Sequence, residues 1–497
     1  MPQITGRKQK QSAKQKGPAG KGNVDGITKR VILGGVSIAV VSIVVGIYGP
    51  GRAGVSLFGL DGEYGRWVGL GILVVVLVSL YMIYLAKFHR DVLSSHGRWL
   101  RIVLIFLVYL LGARFLLDAE VSIFLIPSSL FALLFALLHG RRFAVIALAF
   151  LAVLCAVLLD ADPAAQLVLF LGGVVVVFGS VPIASRWKLM ATGLVVAAVQ
   201  CVVLLSLWLA GMSGHEIPKD GFPWNELMWG GLMGFAYIGI LANAFLPLIE
   251  YAFDVTTHMT LLEISSQNQP LVRRMIMEAP GTYHHSLVVG NLAESAAEAV
   301  GADWLLARVG AYYHDIGKLG KPLYFTENTM NIPDRHENLS PAMSTLIITA
   351  HTKDGVQIGR NYSLPKNIID FVEQHHGNST VDFFYQQALA RSDEDNKPSA
   401  EEFRYPGPRP RSKEVGIVLL ADAAEAATRS LTEPNPSRIE NLVRDVIAKR
   451  IVDGQLDDCP LTLDDLRKVR RSFVRVLTGM YHSRVRYPGT EQSANGD

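Results

Sequence analysis

Cysteine and charge are both scarce in this chain of 497 residues. Its three cysteines, Cys155, Cys201 and Cys459, lie in unrelated surroundings and form no CxxC pair. That excludes a disulfide framework, dithiol redox chemistry and a thiolate zinc site. Charged residues make up only 18% of a chain that is 50% hydrophobic, too apolar for a soluble multidomain protein of this length. Part of the chain must lie in lipid. Collagen, coiled coil and bulk disorder are excluded by the same composition. The formal charge of +3 hides a segregation, because residues 1–30 carry eight Lys/Arg against the single Asp25, a local +7 that leaves −4 for the rest. This stretch reads as a disordered, cytoplasmic, basic tail that fixes topology or touches anionic lipid.

Charge-free apolar runs recur at 31–48, 67–86, 121–138, 143–159, 164–181, 189–211 and 227–248. Each is near the roughly 20 residues that a helix needs to cross a hydrocarbon core of about 30 Å. An eighth run, 102–117, contains Arg114, which Asp118 can pair with one helical turn later. With eight spans the connections alternate in charge: the basic tail; a mixed loop around Arg52 and Glu63; Lys87 to Arg101; Asp118 and Glu120; Arg141 and Arg142; Asp160 and Asp162; Arg186 and Lys188; then Glu216 to Asp220. The positive-inside rule then places the tail, the three basic loops and everything beyond Leu248 in the cytoplasm. The first run lacks an A-x-A cleavage site and leads into further spans, so it reads as a signal anchor. Intramembrane polar groups are few (Gln166, Gln200, Asn243, Arg114), and neither a proton relay nor an internal repeat suggests a carrier. Gly230 and Gly234 form a small-xxx-small face that reads as packing inside one bundle, with a homodimer left open.

After Leu248 hydropathy falls, strand-like alternation is scarce and helix punctuation takes over. Thr282 reads as the cap of a run with Val288, Leu292, Ala296 and Ala299; Asp303 caps 304–319; Ser340-Pro341 and Pro365 open two more helices; Ser412 opens 413–431. The long loop 392–411 contains the Pro/Gly-rich FRYPGPRPR. The expected fold is all-α: a basic tail (1–30), a polytopic transmembrane helical bundle of about eight helices (31–248), a juxtamembrane linker (249–280), a cytoplasmic all-helical domain (281–488) and a short disordered tail (489–497).

Histidine carries the chemistry. Seven of the thirteen (His284, His285, His314, His336, His351, His375, His376) fall between 284 and 376, several against Asp or another His. Packed or solvated histidines do not cluster in this way, and a metal site does. Neighbours on a helix point about 100° apart, so an adjacent dyad suits two ions side by side better than one. Asp315 can give one carboxylate oxygen to each ion, with His314 completing the first and His375 and His376 approaching the second.

The order H, HD, H, HH, D resembles the HD-domain phosphohydrolases. The surrounding text (APGTYHHSLVVGNLAE, YYHDIGK, YFTEN, HTKDGV, IIDFVEQHHG, FRYPGPRPRSKE, LLADAAEAATRSL) is similar to the seven-transmembrane HD family of PgpH-like cyclic-di-AMP phosphodiesterases, over 279–431 and more loosely 248–488. The resemblance implies one metal held by His285, His314, Asp315 and Asp422, and a second held by His351, His375 and His376 with Asp315 shared. It leaves His284 as a neighbouring group, places Lys318 where its ammonium can meet a substrate phosphate, and gives His336 no role. It also implies a bacterial plasma-membrane location with the HD domain cytoplasmic. The family carries a large extracytoplasmic domain after its first span, and residues 49–66 form only a short loop here, so the external sensor is expected to be missing.

Five imidazoles and two carboxylates leave two divalent ions with net positive charge, which suits a phosphodiester anion. Nitrogen-rich ligands without thiolate favour Fe or Mn over Zn, Co and Ni. The expected partners are a cyclic dinucleotide and the bilayer, with no DNA or RNA, and the expected product is 5′-pApA. A cyclic-di-GMP phosphodiesterase would carry an HHE and a GYP signature, whereas the dyad here runs HHGNST. A silent HD domain acting as a nucleotide-binding receptor would have lost a ligand, and every ligand position is filled. A transporter with a regulatory domain would need intramembrane charge.

Overall fold

The computed structural model describes residues 35, 63–94, 96–159, 161–212, 217, 221–329, 335–393, 397–431 and 433–481. The basic tail, the first expected span apart from Gly35, and the tail at 489–497 lie outside them. The chain divides into two compact units, Met1–Leu248 and Ile249–Asp497. The described residues are almost wholly helical, with one isolated antiparallel bridge between Thr380 and Arg404.

In the first unit the helices are α1 (Glu63–Phe88), α2 (Arg90–Ser94), α3 (His96–Asp118), α4 (Ser128–His139), α5 (Arg141–Leu158), α6 (Pro163–Gly179), α7 (Arg186–Leu209), α8 (Trp224–Phe235) and α9 (Asn243–Phe253). Among the described residues five apolar stretches are long enough to cross a membrane: Val68–Phe88, Gly97–Asp118, Arg141–Leu158, Arg186–Leu209 and Trp224–Phe253. The protein is therefore a multi-pass membrane protein. The two remaining runs form shorter apolar helices, Ile123–His139 and Pro163–Gly179. Run 121–138 is not one continuous α-helix as expected: a 3-10 turn (Ile123–Leu125), capped by Ser122, precedes α4. Pro127 between them has no N–H for a helical ladder and crowds the preceding turn, so the helix restarts after it. Arg114 does bond Asp118 across one turn, at 2.6 and 2.7 Å. Gly234 faces inward, since a Cβ there would lie 2.5 Å from Gln200 Oε1 and 3.0 Å from Ala197 Cα. The small-residue face is thus spent on packing within the bundle.

In the second unit the helices are α10 (His258–Ile264), α11 (Pro270–Glu278), α12 (Pro280–Val300), α13 (Trp304–Tyr313), α14 (Pro341–Asn361), α15 (Lys366–Gln374), α16 (Asp382–Ala390), α17 (Lys413–Arg429), α18 (Pro436–Val452) and α19 (Leu463–Tyr481). Asp303, Ser340 and Ser412 accept the backbone N–H of Leu306, Met343 and Val415 as expected of caps. Thr282 is not a cap. Pro280 takes the first helical position, for which its fixed φ is suited, and Thr282 lies within the first turn donating its N–H to Asn328 Oδ1. The core side of α12 carries Val289, Leu292, Ala293, Ala296 and Ala297 against α13, α17 and α19, whereas Ala299 is exposed. The last step of the expected run is three residues, which turns Ala299 about 60° back from Ala296, away from the side that Ala293 and Ala297 bury. The helix expected over 304–319 stops at Tyr313, and Ile316–Gly320 is a 3-10 turn.

Candidate metal centre

Five segments converge on one buried point. His285 lies on α12, His314 and Asp315 at the end of α13, His351 on α14, His375 and His376 at the end of α15, and Asp422 on α17. Both dyads occupy helix termini rather than helix interiors: His314 and His375 are the terminal caps of α13 and α15. Leaving the helix is what allows adjacent side chains to turn toward the same centre. Two glycines make these turns fit. A Cβ on Gly317 would stand 1.8 Å from the carbonyl oxygen of His351, and Gly377 follows the second dyad with φ +55°.

Asp315 divides the centre. Its Oδ2 faces His314 Nε2 at 3.1 Å and His285 Nε2 at 3.6 Å, while its Oδ1 faces His351 Nε2 at 3.4 Å and His375 Nε2 at 3.6 Å. Asp422 Oδ1 lies 3.0 Å from His285 Nε2 and 3.9 Å from His314 Nε2, and its Oδ2 is 3.6 Å from His376 Nδ1. Two ligand groups result, His285–His314–Asp315 and Asp315–His351–His375–His376, each with its donor atoms within 4.8 Å of one another.

The backbone sets the tautomers. Nδ1 of His314 meets Ala311 O at 2.6 Å, Nδ1 of His351 meets Ile348 O at 2.6 Å, and Nδ1 of His375 meets Phe371 O at 3.0 Å. A carbonyl only accepts, so each Nδ1 carries the proton and each Nε2 turns a lone pair inward. Glu425 does the same for His285, with Oε2 2.6 Å from Nδ1.

A metal pair fits these residues. His314 Nε2 and Asp315 Oδ1 are buried without a hydrogen-bond partner, a costly state for polar atoms unless an ion satisfies them. Burial pushes His351 down to about 3, which keeps its imidazole neutral and able to ligate. Burial acts the same way on His285, but the Asp422 and Glu425 carboxylates overcome it and hold the ring up at about 10, so an ion at Nε2 would take the place of the proton that Asp422 holds there. Burial would raise Asp315, yet His314 and the Lys318 ammonium hold its carboxyl well below the usual carboxylate range.

Of the other expected residues, Lys318 is half-buried beside the ligands, its Nζ 2.8 Å from Asp315 Oδ2 and 2.7 Å from Glu327 Oε1. His284 is exposed and lines a cavity of about 760 Å³ with Gly281, Glu327, Asn328 and Arg429. His336 accompanies Tyr324 and Phe384, apart from the ligands. A second cavity, about 320 Å³, is lined by His376, Asp422, Tyr405, Lys449 and Arg450 among others. Three residues escaped the sequence reading: Glu425, Glu327, and Tyr405, whose ring stacks on His376 at 4.1 Å. Glu425 is three residues after Asp422 on one helix, a spacing that places both on one face.

No cysteine stands among these residues: the site is built of imidazoles and carboxylates in the order of the HD motif, carried on helices of the second unit. Residues 64–257 match the family described as "7TM receptor with intracellular HD hydrolase", and residues 282–427 match the HD domain. Both parts of that description are thus matched in one chain, the membrane unit by the first family and the histidine-rich domain by the second. Among its relatives is the cyclic-di-AMP phosphodiesterase PgpH of Bacillus subtilis (strain 168), 47% identical over 307 residues that cover 61% of this chain and 42% of the relative. PgpH of Listeria monocytogenes serotype 1/2a (strain 10403S) is 32% identical over 439 residues, 85% of this chain and 59% of the relative. The chain thus spans about half the length of these relatives. The crystal structure of the L. monocytogenes PgpH HD domain with cyclic-di-AMP is 41% identical, covers 44% of this chain and all of that one, and superposes with a TM-score of 0.41.

Proposed function

We propose that the chain is a membrane-anchored, metal-dependent phosphodiesterase that hydrolyses cyclic-di-AMP to 5′-pApA. The observation that carries the reading is the convergence of five imidazoles and two carboxylates about Asp315, with one oxygen of that carboxylate toward each histidine group. His285, His314, Asp315 and Asp422 would hold one ion; His351, His375, His376 and Asp315 would hold the other. Two divalent ions, Fe or Mn by the donor set, would supply Lewis acidity toward a phosphodiester and lower the pKa of water at the site.

The residues supply the rest. The carbonyl and Glu425 partners fix the imidazole tautomers before substrate arrives. Lys318, whose ammonium the buried Asp315 and Glu327 hold in its charged form, orients the shared carboxylate and offers N–H bonds to a phosphate oxygen. The Lys449 and Arg450 cations edge the cavity beside His376 and suit a second phosphate. Cleavage of one P–O3′ bond by water leaves a linear, 5′-phosphorylated dinucleotide. The catalytic domain is 281–488, and it faces the cytoplasm of a bacterial cell with the N-terminus on the same side.

Adenine is favoured over guanine by the motif context that the chain shares with PgpH relatives, since metal ligands act on phosphate and read no base. The test is turnover by the purified full chain in detergent with Mn²⁺ or Fe²⁺, against a panel of cyclic dinucleotides. Higher kcat/KM for cyclic-di-AMP, with 5′-pApA as product, is expected. A preference for cyclic-di-GMP overturns the substrate, and absence of turnover by a metal-loaded protein overturns the enzyme.

A further inference from the structure

The membrane unit contains a cavity that the phosphodiesterase reading does not use. It measures about 550 Å³ and lies where three apolar helices end or begin together, at the close of α1, the start of α5 and the last turn of α6. Its cationic side is Arg141 and Arg142, both exposed at the start of α5. Arg141 donates to Val181 O, which fixes its guanidinium at this level. Among the described residues neither arginine is in an ion pair with a carboxylate. The opposite side is apolar and open: Phe88, Phe178 and Ile146 are 64%, 60% and 41% exposed. Between the two, the Tyr84 hydroxyl and His89 Nε2 lie 3.0 Å apart and leave further polar capacity toward the cavity.

Two guanidiniums without a carboxylate partner among the described residues, next to exposed aromatic rings at the ends of membrane-spanning helices, match a molecule with one anionic and one greasy end. We propose that this cavity binds a phospholipid with an anionic headgroup, its phosphate forked by Arg141 and Arg142 and its first acyl carbons lying on Phe88, Phe178 and Ile146. A phospholipid is preferred to a soluble anion because the apolar wall would otherwise stay in contact with bulk acyl chains and add nothing. The assignment is independent of the activity proposed for the second unit.

Native mass spectrometry of the full chain in neutral detergent, titrated with phosphatidylglycerol or phosphatidylcholine, tests it. Phosphatidylglycerol is expected to remain bound and phosphatidylcholine to be lost. The double variant Arg141→Gln/Arg142→Gln should weaken phosphatidylglycerol roughly thirtyfold, about 2 kcal/mol. Arg98→Gln/Arg101→Gln, on α3, should change it by less than about twofold, the reference being the roughly fivefold effect of one arginine. Should the double variant fail to fold, Arg142→Gln alone is expected to cost about fivefold. Equal retention of the two lipids, an equal loss in the α3 variant, unchanged affinity in Arg142→Gln, or displacement of the lipid by millimolar inorganic phosphate or by cyclic-di-AMP would each overturn the proposal.

Discussion

Asp315 is 1% exposed and touches both histidine groups, so it is the residue on which the two ligand sets depend together. Asp315→Ala is expected to abolish turnover and strip metal from both groups, whereas His351→Ala should empty chiefly one; elemental analysis of the purified proteins reads both, and an active Asp315→Ala would refute the shared-carboxylate mechanism. Glu425 makes a different contribution. It touches no other ligand but holds His285 Nδ1, and Glu425→Gln is expected to weaken metal affinity by roughly 10- to 100-fold while leaving the fold intact. The ligands were legible because histidine is rare and its spacing conspicuous. Glu425 and Glu327 were not, because carboxylates are common on helix surfaces and only their distances to His285 and Lys318 single them out.

At the scale of elements, the centre depends on where helices stop. The sequence suggested a helix through 304–319, yet α13 ends at Tyr313, and the HDIG turn that follows lies against α14 because Gly317 has no side chain. Gly317→Ala should force that turn off His351, costing roughly 1–3 kcal/mol and most of the activity even though no ligand is altered; thermal unfolding together with turnover checks it. Helix starts were easier to read than stops, since a cap is a local hydrogen bond and a stop here is imposed by a neighbouring helix. One start was hidden: Asp465 and Thr462 exchange backbone bonds at the head of α19, and Lys413 at the head of α17 reaches Asp465 at 2.8 Å. The Lys413 bond holds Asp465 at about 2, below its unfolded value of roughly 3.9. A lowered carboxylate stabilises above the unfolded value and loses that contribution as pH falls through the folded one. Lys413→Met should therefore lower the amide-exchange protection of α19 at pH 6 by about 1 kcal/mol, with the difference fading between roughly pH 4 and pH 2.

At the scale of the whole molecule, hydropathy located every described apolar helix, but it did not tell which of them cross. The runs 121–138 and 164–181 became helices of Ile123–His139 and Pro163–Gly179, shorter than their neighbours, one broken at Pro127. Seventeen residues rise about 25 Å, near the lower limit for a span, and a bilayer thins or flanking side chains snorkel to accommodate such a helix. Charge decides between crossing and turning back. Arg98 and Arg101 lie in the first two turns of α3, Asp118 ends it and Glu120 follows; Arg141 and Arg142 begin α5, and Asp162 follows it. If α4 crosses, both basic pairs share the cytoplasmic side and both acidic turns face out, as the positive-inside rule requires. If α4 turned back instead, Arg141 and Arg142 would be carried to the outer side with the acidic turn, against the rule. Reporter fusions after Arg101 and after Arg141 are therefore expected to read the same compartment, and a fusion after Asp162 the opposite one. Opposite signals at Arg101 and Arg141 would make α4 re-entrant, and identical signals at Arg141 and Asp162 would remove α5 as a span.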